Sequence, residues 1–157
     1  MNDRYLYRAK RTDNGEWVEG NLVWSDDADD DYKAIIIPTT GSDMFTRGEA
    51  SGNLGFEKWY RVDTSTLCQC TGLRDKNGKL IWENDIVRRK IFDHEVIGIV
   101  KWLDIGFTGF RLEVAKEDGK KNLYSIGRGT YDDDMGERCD DEIIGNIFDN
   151  PELLEAE

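Results

Sequence analysis

The chain carries its apolar residues in short bursts that are separated by Gly, Asn and Asp. Bursts of this length, rich in β-branched and aromatic residues and bounded by turn residues, are typical of β-strands rather than of long helices. The pattern therefore predicts a mostly β protein. The predicted strands cover residues 4–10, 16–24, 32–37, 59–62, 96–102, 107–114, 123–126 and 143–148, with two further arms on either side of position 77.

Two Asn-Gly pairs mark the tightest turns that the sequence predicts. Asn14-Gly15 and Asn77-Gly78 each lie between apolar arms, and an Asn-Gly pair accepts the positive φ angles of a short hairpin. Pro38 ends the burst at 32–37, and because proline cannot donate to a central ladder it marks a strand end or a sheet edge. Residues 39–58 contain four Gly with little periodicity, so we expect a mobile loop or an insertion there.

Short strands at near-regular spacing with tight turns indicate a small barrel or sandwich. We expect a barrel-like meander with hairpins, since closure removes exposed sheet edges. Asn150 followed by Pro151 and Glu152 predicts a short C-terminal helix, because Asn can cap it and Pro suits its first position. Leu153 and Leu154 of that helix are expected to cap one end of the barrel.

Size and composition agree with a folded protein of one domain. The chain has 157 residues, of which 38% are hydrophobic and 11% aromatic, too much apolar material for a disordered chain. We expect a single β domain over 1–157, with an N-terminal hairpin region at about 1–63 and a second region at about 64–157. The charged N-terminus and the lack of a long apolar run predict a cytoplasmic protein.

The formal net charge of −12 at pH 7 disfavours non-specific binding to nucleic acid, because such a field repels phosphate backbones at long range. The charge is uneven, however. Aspartates crowd residues 26–31 and 132–134, whereas Arg88, Arg89 and Lys90 form a local basic run.

The segment TGLRDKNGKLIWENDIV at 71–87 is the most informative part of the chain, and it resembles the core signature of the YopX protein family. YRAKRTDNGEWVEGNLV at 7–23 is similar to that family's N-terminal hairpin, and EIIGNIFDNPELL at 142–154 to its closing strand and tail. The resemblance implies a barrel-like β fold with a capping helix and an origin in bacteriophages, prophages or related mobile elements. It implies no activity, so no catalytic or binding residue is carried over.

The residues of 71–87 fit architectural roles, with Gly72 and Gly78 in turns and Leu80, Trp82 and Ile86 in a core. In this interpretation the core lies on the side of Leu80 and Trp82. The alternative is a recognition face. Its candidate residues are Trp82, Asp85, Arg88, Arg89 and Trp102.

Other constellations give no catalytic, cofactor or metal site. Cys68 and Cys70 share one strand face, and a zinc site can be drawn from them with Cys139 and His94. The spacing matches no zinc knuckle. We therefore expect reduced thiols. The aspartates at 26–31 fit no EF-hand loop, and those at 132–134 are neighbours that cannot converge on a metal unaided. His94 has no nucleophile-elbow pattern around it and is interpreted as a turn residue.

The sequence therefore favours a non-enzymatic accessory protein that binds another macromolecule, with an unknown protein as partner and no membrane contact. A nucleic-acid-binding barrel is the first alternative, and a metal-dependent hydrolase that uses the acidic loops is the second. Unpaired sheet edges also favour association with a second copy. The nucleic-acid alternative needs a basic stripe beside Trp82 and Trp102, formed by Arg88, Arg89, Lys90, Lys101 and Arg111.

Overall fold

The chain forms two compact units, each of antiparallel strands. The N-terminal unit is Tyr5–Gln69, and the C-terminal unit is Cys70–Glu157 together with Met1–Arg4. The single domain over 1–157, with regions at about 1–63 and 64–157, stays a prediction. The computed structural model describes residues 3–29, 32–46, 54–91, 94–104, 108–115, 121–124, 126, 130–132, 137–139 and 141–155.

The N-terminal unit is built on a sheet in the order β6-β3-β2-β1, to which the first residues of β7 add by pairing with β1. A separate hairpin of β4 and β5 lies within the predicted loop at 39–58, which sequence reasoning left without strands. The strands are β1 Tyr7–Lys10, β2 Trp17–Trp24, β3 Ala34–Pro38, β4 Met44–Thr46, β5 Leu54–Phe56, β6 Tyr60–Arg61 and β7 Cys68–Arg74.

One face of this sheet forms the core of the N-terminal unit. Alternation along β1, β2 and β3 places every second residue on that face, and cross-strand pairing aligns these residues. A bridge between Arg11 and Val62 returns the chain beyond β6 to the end of β1. The core comprises Ala9, Ala34, Ile36 and Val62, with Tyr7, Val18, Leu22 and Leu67 packed against it.

The C-terminal unit contains the β7–β8 hairpin and a five-stranded sheet in the order β12-β11-β10-β9-β15. Strands β13 and β14 pair with each other. The strands are β8 Leu80–Trp82, β9 Asp85–Ile91, β10 His94–Asp104, β11 Thr108–Ala115, β12 Lys121–Tyr124, β13 Thr130–Asp132, β14 Glu137–Cys139 and β15 Asp141–Asn146.

A second hydrophobic core belongs to this unit alone. Burying an aliphatic side chain contributes about 1.5–3 kcal/mol, so this cluster is the main source of the unit's stability. The core comprises Ile81, Val87, Val100, Leu112, Val114 and Ile126, with Val96, Phe110 and Ile143 packed against it.

Both predicted Asn-Gly turns are confirmed, but in each only the glycine has a positive φ, 73° at Gly15 and 83° at Gly78. At the second turn the Asp75 amide donates a hydrogen bond to the Lys79 carbonyl, and the Gly78 amide donates one to the Asp75 carbonyl. This is a three-residue loop with a left-handed glycine, not the two-residue loop that needs two positive φ angles. The pairing of Pro38 with Gly20 at the end of β3 agrees with the predicted strand end.

The predicted closed barrel is wrong for the described residues, whose sheets stay open. The five-stranded sheet ends at β12 on one side and at β15 on the other, because the last strand returns beside β9 instead of closing on β12. The mostly β prediction itself is confirmed.

The predicted C-terminal helix is also wrong, since only a 3₁₀ turn forms at Pro151–Leu154. The Asn150 side chain makes no capping bond; its Oδ1 accepts from the Asn146 amide at 3.4 Å. Leu154 is exposed, whereas Leu153 is half-buried. Two further 3₁₀ turns lie at Asp3–Tyr5 and Thr64–Thr66, and none of the described helical segments is long and apolar enough to cross a membrane.

Trp82 is buried, with 3% of its surface exposed, and Ile81 beside it on the other strand face is buried as well. We expect Trp82→Ala to destabilise the fold by about 3–5 kcal/mol, the usual cost of truncating a large buried aromatic. Thermal melting checks this, with Trp102→Ala as the control because that indole is half exposed. Equal melting of the two variants would contradict a core role for Trp82.

Candidate functional site

The turn of the β7–β8 hairpin is held by a buried carboxylate. Asp75 Oδ1 accepts from the amides of Asn77 and Lys79, each at 2.9 Å. Its Oδ2 accepts from the amide of Ile143 on β15 at 3.2 Å, and the Lys76 amide donates to the Asp141 carbonyl. Asp75 therefore joins its own turn to the closing strand of the sheet.

Arg89 and Asp141 form an ion pair inside the C-terminal unit. The two residues are register partners on β9 and β15, and both are almost fully buried. Arg89 Nε donates to Oδ1 at 2.7 Å and its Nη2 to Oδ2 at 2.9 Å, a bidentate geometry. Because a buried charge is tolerated only when it is paired, each residue makes the burial of the other possible.

The turn between β8 and β9 uses two polar residues of the signature segment. Asn84 has a φ of 66°, a left-handed conformation that Asn tolerates better than most residues. Its amide donates to the Val100 carbonyl, and its Oδ1 accepts from Lys101 Nζ at 2.9 Å. Asp85, which is buried, accepts from the Trp82 amide at 2.8 Å.

On the opposite side of β9 from Arg89, the carboxylate of Glu142 links two cations. It lies 2.7 Å from Arg88 Nη2 and 3.0 Å from Lys76 Nζ. The hydrogen bond from Arg88, and after it that from Lys76, lowers the pKa of Glu142 below its ordinary value. The same bond raises the pKa of Arg88.

The structure does not bring the five residues of the predicted recognition face onto one surface. Trp82, Asp85 and Arg89 are buried, while Arg88 and Trp102 are solvent-accessible. Trp102 packs edge-on against Phe110, with 4.8 Å between ring centroids. Strand alternation explains the separation of Arg88 from Arg89, since neighbouring residues point to opposite faces. A binding role for the two accessible residues stays a prediction.

Cys68 and Cys70 are buried, and Cys68 Sγ donates to the Thr66 carbonyl at 3.3 Å. The side chains of Cys139 and His94, which complete the zinc set drawn from the sequence, lie outside the described residues. Among the described residues no three His, Cys, Asp or Glu side chains are grouped so that they could hold a metal ion. The buried carboxylates are instead bound to backbone amides and to Arg89.

The N-terminal unit presents a surface that sequence reasoning missed, where the β2–β3 hairpin opens beside β6. We call Trp24, Tyr32, Lys33, Trp59 and Arg61 the aromatic cluster. The three aromatic side chains are 44%, 52% and 44% exposed in chain order.

Contacts within the aromatic cluster hold its rings in place. The rings of Tyr32 and Trp59 lie 6.4 Å apart between centroids. Arg61 lies over the Tyr32 ring at 5.4 Å, and Lys33 lies over the Trp24 ring at 5.6 Å. The sequence signal for this cluster is an aromatic residue next to a cation at a strand end. That signal does not reveal the cluster, because the pairing of β3 with β6 across a long loop cannot be predicted from the sequence.

Fold and site together define an antiparallel β protein whose buried polar side chains hold turns and strands, and whose exposed aromatic side chains form a surface cluster. The family model described as YopX protein matches residues 6–155, and the chain belongs to the YopX family. The resemblance inferred from segments 7–23, 71–87 and 142–154 is thereby confirmed.

The chain is similar to the crystal structure of protein EF1440 from Enterococcus faecalis. It shares 26% sequence identity, the alignment covers 94% of this chain and 96% of that one, and the TM-score is 0.48. No curated protein matches the chain.

Arg89→Met should destabilise the protein by about 3–5 kcal/mol, because it leaves the Asp141 carboxylate buried without its cation. The double variant Arg89→Met with Asp141→Leu should recover much of this loss, since two packed apolar side chains leave no buried charge. Urea unfolding of the three proteins checks this. A double variant no more stable than Arg89→Met would contradict the account.

Glu142→Gln should lower the melting temperature at neutral pH, and the difference from wild type should disappear in acid. The pKa of Glu142 is lowered in the folded state, so its contribution is present above the ordinary glutamate pKa and is lost as pH falls through the lowered value. Melting curves across pH check this. In an Arg88→Met background the effect of Glu142→Gln should be smaller, and an undiminished effect would show that Arg88 is not the cause.

Proposed function

We propose that this YopX-family protein is a non-enzymatic accessory protein that binds another protein, and that the aromatic cluster of the N-terminal unit is the contact surface. The distribution of exposed large apolar side chains among the described residues carries the proposal. The exposed large apolar residues of the N-terminal unit are Tyr5, Val23, Trp24, Tyr32, Met44, Phe45, Leu54 and Trp59. Those of the C-terminal unit, among the described residues, are Leu73, Trp102 and Leu154.

The composition of the cluster supports a protein partner. Trp, Tyr and Arg are the residues that most often carry the binding energy of protein interfaces, and exposed apolar patches commonly mark such interfaces. Cations lying over Trp24 and Tyr32 hold these rings in position before binding, which reduces the entropy that a partner must remove. Rigid aromatic anchors of this kind suit recognition of a folded surface or a bound segment.

The nucleic-acid alternative is less well supported. Within its proposed stripe, Arg88 pairs with Glu142 and Arg89 with Asp141, so neither guanidinium is available to a phosphate without losing a carboxylate. Trp82 is buried and cannot stack on a base. The formal net charge of −12 acts in the same direction.

The hydrolase alternative is also less well supported. Within the part of the chain that the structure describes, no three His, Cys, Asp or Glu side chains are grouped to hold a metal ion, and Asp26 of the acidic loop accepts from Trp24 Nε1. Following the sequence resemblance, we further propose that the protein is encoded by a phage or prophage and works in the cytoplasm of the bacterial host.

Three tryptophans of nearly equal exposure allow a matched test. Trp24→Ala and Trp59→Ala should abolish capture of the partner from cells in which the tagged protein is expressed, whereas Trp102→Ala should retain it. The side chains are 44%, 44% and 47% exposed, so the three variants should lose similar amounts of stability, and differences in capture then report binding. Mass spectrometry of the captured material identifies the partner. No enrichment over a tag-only control, or equal capture by all three variants, would contradict the proposal.

A further inference from the structure

The aromatic cluster lies directly beside the most acidic segment of the N-terminal unit. The loop that joins β2 to β3 is closed by the Ser25 amide, which donates to the Lys33 carbonyl at 2.9 Å. The Tyr32 amide donates to the Asp29 carbonyl, and Trp24 Nε1 donates to Asp26 Oδ1 at 2.7 Å. The Trp24 ring is therefore fixed to the acidic loop, and Tyr32 is joined to the same loop through its backbone amide.

The charge around the rings is negative. The sequence places aspartates at five of the six positions 26–31, and Asp26, Asp27 and Asp29 are exposed in the structure. The cluster itself contributes two cations, Lys33 and Arg61, and each lies over one of the rings. The result is an apolar centre with an acidic rim, within a chain whose formal net charge is −12.

We propose that the partner presents a basic surface, with lysines or arginines around an apolar side chain that seats on Trp59 and Tyr32. This inference rests on the proposed function and adds the chemistry of the partner. Opposite charges on the two surfaces speed association and suppress wrong partners, whereas an acidic partner would bring like charges together at a cost. The apolar anchor supplies the affinity, and the aspartates supply steering and selectivity.

The other occupants are disfavoured by the same charges. A nucleic acid brings a phosphate with every nucleotide against the acidic rim of Asp26, Asp27 and Asp29. A second copy of this chain carries the same net charge and the same acidic loop. The basic protein surface is the occupant whose charge complements this site.

Fluorescence anisotropy with labelled probes tests the inference on the full chain. The probes are a synthetic peptide of lysines, arginines and leucines, a matched peptide with glutamate at each basic position, and an oligothymidine strand. The variants are Trp59→Ala and the double neutralisation Asp27→Asn with Asp29→Asn. The controls are Trp102→Ala and Glu152→Gln with Glu155→Gln, which removes the same number of exposed carboxylates from the C-terminal unit.

The basic peptide should bind most tightly and lose affinity as salt is added. Trp59→Ala should weaken its binding by about 30-fold, the effect of losing an interface hot spot. The Asp27 and Asp29 neutralisation should weaken it by about three- to tenfold and reduce its salt dependence, while both controls stay near wild type. Equal losses in the two double neutralisations, or tighter binding of the acidic peptide or the oligothymidine, would overturn the inference.

Failure of this inference is distinguishable from failure of the proposed function. If Trp59→Ala abolishes capture of the cellular partner and that partner is acidic, protein binding by the cluster stands and the basic chemistry is wrong. If capture is unaffected by Trp59→Ala, both are wrong.

Discussion

The side chain of Asp75 ties a hairpin turn to a strand that lies 68 positions further along the chain, where it accepts from the Ile143 amide. With β15 held at that register, Asp141 lies opposite Arg89 and Glu142 lies opposite Arg88. The buried ion pair and the surface ion pair therefore both follow from where one carboxylate anchors the last strand. Strand β15 is an edge of the five-stranded sheet and pairs there with β9 alone. These polar contacts therefore hold it in place where an inner strand would have a second neighbouring strand.

The strands were largely predictable because their causes are local. Apolar bursts between turn residues locate β1 to β3, β10 and β11, and the glycines at 15 and 78 locate two turns. Closure was not predictable, since it depends on which distant strand pairs with which: β15 returns to β9, and no local pattern encodes that choice. The prediction of a C-terminal helix was wrong because Asn150 Oδ1 accepts from the Asn146 amide instead of capping the turn that follows.

The site was less predictable than the fold, because its residues come together through pairings between strands that lie far apart in the sequence. Adjacent arginines on a strand cannot share a face, so Arg88 and Arg89 meet different environments, and alternation alone could have shown this. The burial of Arg89 could not have been anticipated, because its partner Asp141 lies 52 positions away. The aromatic cluster is likewise assembled by the pairing of β3 with β6 across a long loop, so its members are dispersed in the sequence.

The late position of Asp141 also bears on the order in which the chain can fold during synthesis. The N-terminal unit draws its core from the contiguous span Tyr5–Gln69 and can complete that core while the ribosome is still translating. The C-terminal unit cannot complete its fold until Asp141 has emerged, because this carboxylate compensates Arg89 and lies 52 positions after it. Until then the sheet lacks its β15 edge strand and Arg89 lacks Asp141, so chaperones and proteases meet this unit in an incomplete state.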